Sequence, residues 1–117
     1  MKFVLLVKSN PVTEAGGEGP AGLGEAMARY NAELAAAGLL LDAVGIYPSG
    51  EGGVRLRGIG TDTVTRIDGP FDEPGQIVAG YTVSDVRNRD EAVEWAKRMP
   101  RIAMPGDPCE IEIRQLY

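Results

Sequence analysis

Asp68-Gly69-Pro70-Phe71 is the segment of this sequence best suited to chemistry. A carboxylate held at a strand end by a rigid Gly-Pro bend can bind a cationic or hydroxyl group, or move a proton. Glu73 nearby would complete a carboxylate pair. The same residues also make a turn: Asp bonds backbone N–H groups two residues on, Gly-Pro sets an extended bend, and Phe71 anchors it in the core. Asp68 is thus the candidate catalytic residue, with Phe71 and Glu73 as candidate pocket residues beside it. Paired carboxylates in loops are also commonly just solvated. Tyr30, Tyr47 and Tyr81 offer phenols, each at an apolar position where core packing with the hydroxyl at the rim is the competing role. Tyr30 and Tyr81 join the candidate pocket. Arg55 and Arg57 share one face of a short alternating strand and suit bidentate binding of a carboxylate or phosphate. An exposed polar face paired with acids explains them as well. Arg55 is the pocket candidate of the two.

What is missing narrows the chemistry further. The chain has no histidine, which removes Ser-His-Asp and Cys-His catalysis, the commonest general base, and most protein zinc and iron sites. Neither a metal nor a cofactor is expected. Gly17-Glu18-Gly19-Pro20-Ala21-Gly22 satisfies the dinucleotide pattern in letters only. Nine residues separate it from the strand before it, Glu18 would face the pyrophosphate, and the chain lacks a doubly wound sheet. Cys109 has acidic neighbours that oppose thiolate formation, and as a lone cysteine it can form no internal disulfide. The formal net charge of −5 disfavours nucleic acid and anionic membrane surfaces, which both select clustered Lys and Arg. The apolar opening Phe3-Val4-Leu5-Leu6-Val7 is too short for a signal or membrane segment and reads as a buried strand. A cytoplasmic location is expected.

These residues need elements to hold them. With 117 residues the chain has room for one domain, 1–117. Lys2 to Lys8 predicts a strand, and residues 11–22 a surface loop. Leu23, Met27, Tyr30 and Leu34 recur at helical spacing, predicting a helix over 23–37 that Gly38 stops. Leu39 to Tyr47 predicts a second strand. Val54–Arg57 and Thr63–Ile67 alternate as half-buried strands and predict a hairpin attached to the main sheet. Ile77 to Val83 is the next strand. Asn88, with Glu91 three residues on, caps a helix over 89–99 that turns Ala92, Trp95, Ala96 and Met99 to the core. Glu110 to Leu116 closes as a strand. This order is α+β, a ferredoxin-like βαββαβ unit with an inserted β-hairpin, both helices on one sheet face. The strands holding Phe3, Leu5 and Val7, and Ala79, Tyr81 and Val83, carry apolar residues on both faces. Two-sided burial in so small a domain predicts a second covering layer, and a homodimer supplies one.

The sequence resembles the DGPF family, a branch of the YCII-related domains. The resemblance rests on Lys2-Phe3-Val4-Leu5-Leu6-Val7, Leu34-x-x-x-Gly38, Gly45-Ile46-Tyr47-Pro48-Ser49, Val54-Arg55, the namesake Asp68-Gly69-Pro70-Phe71, Gly80-Tyr81, and Glu91-Ala92-x-Glu94-Trp95-Ala96. It implies protomers paired into a dimeric α/β barrel with pockets between the sheets. It also implies a setting near extracytoplasmic-function sigma factors, and no general activity. The family motif usually continues Ala-Glu-Thr-Lys-Glu, where this chain has Asp72-Glu73-Pro74-Gly75-Gln76 and keeps only Glu73. The histidine of other YCII-related branches is missing.

Three functions follow: a binding module with a small ligand in an inter-sheet pocket, a metal-free and cofactor-free enzyme using Asp68 or a Tyr for proton transfer, and a regulatory protein associated with a sigma factor. Fold alone cannot choose among them. Asp68 facing a pocket favours the first two. Asp68 in solvent, bonded only within its own turn, favours the third.

Overall fold

The alternation of the opening strand decides where the core lies. In β1 (Lys2–Lys8) Phe3, Leu5 and Val7 are buried, while Val4 and Leu6 on the opposite face are half-buried. The computed structural model describes residues 1–16, 21–101 and 109–117. Its elements follow as α1 (Pro11–Ala15), α2 (Leu23–Ala36), β2 (Leu40–Gly45), β3 (Val54–Arg57), β4 (Thr65–Asp68), β5 (Val78–Asp85), α3 (Arg89–Lys97) and β6 (Ile111–Gln115), with a single 3-10 turn at Pro74–Gln76.

The main sheet is antiparallel in the order β2-β5-β1-β6, so β1 and β5 form its centre. That is the split arrangement expected of a ferredoxin-like α+β fold. Helices α2 and α3 cover the face carrying Phe3, Leu5 and Val7 and add Tyr30, Leu34, Ala92 and Ala96 to the core, with Met99 just beyond α3. The stripe spaced at i, i+4 and i+7 along α2 therefore does what its spacing requires. On β5 the covered face is Gly80, Thr82 and Ser84, and the uncovered face carries Tyr81 and Val83 opposite Leu6 and Val4. Among the described residues no helix is long and apolar enough to cross a membrane.

Several expectations need correction. The stretch after β1 is not all loop. Asn10 Oδ1 accepts from the backbone N–H groups of Val12 and Thr13, and the Thr13 hydroxyl oxygen accepts the Asn10 N–H in turn, capping α1 with Pro11 in its first turn. The hairpin β3–β4 is a separate two-stranded sheet rather than part of the main one. Its faces are also reversed. Val54 and Leu56 are 46% and 52% exposed, while Arg55, the polar position, is the half-buried one. Trp95 does pack against the core as its helix stripe predicts, although it is only half-buried, with the Arg98 guanidinium over its ring at 4.2 Å.

Tyr30 joins the two helices. Its hydroxyl donates to the Trp95 carbonyl at 2.9 Å, and the two rings meet edge to face at 6.1 Å. Burial pushes its phenol from 10.0 to about 12, against the opposing pull of Arg98. The native state thus holds this proton more tightly than the unfolded chain does. That contribution to stability is whole below pH 10.0 and is lost as pH rises through about 12. In urea unfolding, the parent should lose more stability than Tyr30→Phe across this window. Equal losses would mean that Tyr30 ionises as readily in the folded protein.

Candidate functional site

The loop between β2 and β3 organises everything near the Asp68-Gly69-Pro70-Phe71 turn, and Ser49 is its centre. Ser49 is 6% exposed. Its backbone N–H donates to Glu14 Oε1 at 3.0 Å, and its hydroxyl donates to Glu14 Oε2 at 2.5 Å. The same hydroxyl oxygen accepts the Phe71 N–H at 2.9 Å. The Ser49 carbonyl accepts the Gly53 N–H at 3.1 Å, and the Gly53 carbonyl accepts the Gly69 N–H at 2.8 Å. Helix α1, the loop and both ends of the hairpin are thereby tied at one buried point. Glycine is required at two positions here. A Cβ on Gly69 would lie 1.9 Å from the Ser49 carbonyl oxygen, and one on Gly53 would lie 2.4 Å from it. The Gly69–Pro70 peptide is cis.

Of the six residues picked from the sequence, the structure gathers three. The Arg55 guanidinium lies over the Phe71 ring, 4.2 Å from its centroid, and 3.6 Å from the Glu73 carboxylate. Arg55 and Phe71 line a cavity of about 460 Å3 between the hairpin and the start of β5, with Ile46, Val54, Ile77 and Val78 among its apolar walls. Asp68 is elsewhere. Its carboxylate accepts from Arg66 Nε at 3.0 Å, both side chains are about two-thirds exposed, and it lines none of the cavities described here. The expected bond from Asp68 to the backbone of its own turn does not form, because the Gly69 and Phe71 N–H groups are taken by Gly53 and Ser49.

The two tyrosines are apart from this group and from each other. Tyr30 is in the helix layer. Tyr81 is on the uncovered face of the main sheet, where its hydroxyl donates to Asp42 Oδ2 at 3.3 Å and the Asp42 charge, with some burial, raises its phenol above the usual value. Tyr81 also borders a cavity of about 240 Å3 against α2. A third cavity, about 560 Å3, opens between α1 and the end of β2, where Tyr47 and Glu51 form part of its wall. Among the described residues no three of Cys, Asp and Glu converge as metal ligands would.

Glu14, Ser49, Asn31 and Arg101 were not singled out from the sequence. Ser49 had a signal: it ends Gly45-Ile46-Tyr47-Pro48-Ser49, and a serine between Pro and Gly is a turn former whose hydroxyl needs partners when buried. Glu14 reaches Ser49 and Arg101 reaches the cavity walls by long-range packing, which no local spacing reports.

Substitutions at two adjacent positions should therefore differ sharply. Gly69→Ala should cost about 2–3 kcal/mol, since backbone must move to admit the methyl. Asp68→Asn should stay within about 1 kcal/mol, because it disturbs one solvent-screened ion pair. Urea unfolding of both variants checks this, and equal effects would contradict the placement of the turn.

No curated protein matches this sequence. The family model of the YCII-related domain matches residues 1–116. That span takes in the split sheet, its helix layer, the hairpin and the Ser49-centred turn, and the chain belongs to the YCII-related domain family.

Proposed function

We propose that this chain, as a member of the DGPF branch of that family, is a cytoplasmic homodimer that binds a small molecule between its hairpin and its main sheet. The observation that carries this reading is the cavity of about 460 Å3, a size typical of small-ligand sites. Its walls are mainly apolar, and its one guanidinium, that of Arg55, is held in place by Phe71 and Glu73. A mainly apolar pocket with one oriented guanidinium, and with Glu51 also on its wall, suits a singly charged organic anion with an apolar body. The dimer reading draws support from the uncovered face of the main sheet, where Val4, Leu6, Tyr81 and Val83 are half-buried and Val44 is 41% exposed.

Proton transfer has less behind it. Asp68 is in solvent beside Arg66, and both candidate phenols hold their protons more tightly than free tyrosine does. A general acid or base works best with its pKa near the operating pH. Asp68 is exposed, as the regulatory reading asks, but bonds Arg66 of β4 rather than its own turn; in that reading a sigma-factor-associated protein touches this hairpin. Val54 and Leu56, exposed on the same hairpin, would supply apolar contact area there.

Two measurements test the proposal. Sedimentation should give a dimer at micromolar concentration, and a monomer would remove the paired-sheet reading. Anilinonaphthalene sulfonate, an apolar anion, should bind with a rise in fluorescence. Val78→Trp, which fills the cavity from β5, should weaken that binding about tenfold, and Arg55→Gln about fivefold. Titrations unchanged by both substitutions would place the dye elsewhere and end the case for this cavity.

A further inference from the structure

Two arginines of this chain are half-buried among the described residues, and their surroundings differ in one respect. Arg55 has Glu73. Arg101, just beyond α3, makes no ion pair with any described residue, and its buried Nε has no hydrogen-bond partner. A lysine so placed can shed its proton, but a guanidinium cannot, so Arg101 keeps its charge without an ion-pair partner among the described residues.

Arg101 stands where two cavities meet. One, of about 560 Å3, is bounded by α1 and the end of β2; the other, of about 240 Å3, lies between α2 and the main sheet. Both also share Gly45 and Ala79 as walls. The smaller cavity holds the second unpaired group: Asn31 on α2, whose Oδ1 is buried and accepts no hydrogen bond. These two atoms are the buried side-chain polar atoms without partners among the described residues, and they line one space. Native proteins leave few such groups, and each calls for a reason. A charged donor and a neutral acceptor facing one cavity are satisfied together by a molecule carrying an anion and an X–H group. Val7, Met27 and Ala43 complete the wall with apolar surface.

The anion suited to this place carries a single charge. No lysine lines either cavity, Arg101 is the one arginine, and Glu51 on the adjoining wall adds negative charge. That setting disfavours a phosphate dianion and suits a carboxylate, whose two oxygens match the guanidinium fork. We propose that the cavity at Arg101, separate from the one at Arg55, binds a small carboxylic acid bearing a hydroxyl or ammonium group. Its carboxylate pairs with Arg101, and its hydroxyl or ammonium donates to Asn31 Oδ1.

The arginine Nε–H resonances of the full chain report on this directly. Lactate, alanine and acetate are the probes, and Arg101→Lys identifies the Arg101 signal. Through-bond correlation from the backbone identifies it in the parent if that variant fails to fold. Lactate or alanine should shift the Arg101 signal to saturation, with acetate at least about fivefold weaker because it offers Asn31 no donor. Asn31→Leu should abolish the preference over acetate, while Arg55→Gln should leave the titration as in the parent. An Arg101 signal unmoved by all three acids up to about 50 mM would overturn the site. Acetate binding as well as lactate and alanine would overturn the role of Asn31. Loss of the response in Arg55→Gln with Arg101 signals unmoved would place the acid in the hairpin cavity instead.

Discussion

A serine hydroxyl removed from water must be satisfied from within the protein, and at Ser49 that need fixes the relation of three parts of the fold. The hydroxyl gives its proton to Glu14 and accepts the Phe71 N–H, so α1 and the Asp68-Gly69-Pro70-Phe71 turn are bonded through one oxygen. The charged acceptor makes the Glu14 bond stronger than a neutral pair. A two-stranded hairpin is marginal by itself in water, and β3–β4 has no ladder to the main sheet. Its attachment depends on the Ser49 contacts to Gly53 and Phe71, and the Gly53–Gly69 bond extends its own ladder where a Cβ at either position would strike the Ser49 carbonyl. The hairpin cavity exists because this attachment holds Val54 and Arg55 opposite Val78 without closing the gap.

The charges arrange themselves around that anchor by exposure. Most of the ion pairs, Arg66–Asp68 among them, are on the surface, where solvent screening leaves them about 0–1 kcal/mol each. They do not orient the hairpin. Arg55 is different because its guanidinium is confined by a ring on one side and a carboxylate on another. A confined charge presents one direction to a ligand, while an exposed one samples many, so the arginines at cavity walls matter more for binding than the more numerous exposed ones.

The sequence carried the architecture better than the site, for physical reasons. Helix and strand periods are local, and Leu34 at the end of the α2 stripe is 1% exposed as its spacing requires. The hairpin's covered face is the reverse of the expected one because alternation shows that two faces differ without showing which one is covered. Here Phe71 covers the face of Arg55, which leaves Val54 and Leu56 on the open one. The helix at Pro11–Ala15 was legible in the Asn10-Pro11 pair, but its glycine-rich continuation masked it. A carboxylate before Gly-Pro, as at Asp68, normally bonds its own turn. The backbone of this turn is instead satisfied by a loop some twenty residues earlier in the chain.

Tyr81 and Asp42 bear on how the uncovered sheet face can be used. They pair across β5 and β2 on that face, and the Asp42 charge keeps the phenol protonated and donating. A second apolar sheet laid over them would strip water from the carboxylate, which costs more than the apolar contact returns unless Asp42 keeps its hydrogen bonds. The apolar strip of Val4, Leu6 and Val83 runs across the two central strands, whereas Asp42 is on the edge strand β2. A partner centred on β1 and β5 therefore gains the apolar area and leaves Asp42 at the wet rim, where its pair with Tyr81 persists. The same geometry keeps β2 outside the buried centre, and with it the loop that carries Ser49. The three arginine-bearing cavities all border that loop or the strand before it, so pairing through the central strands would leave them open to small molecules.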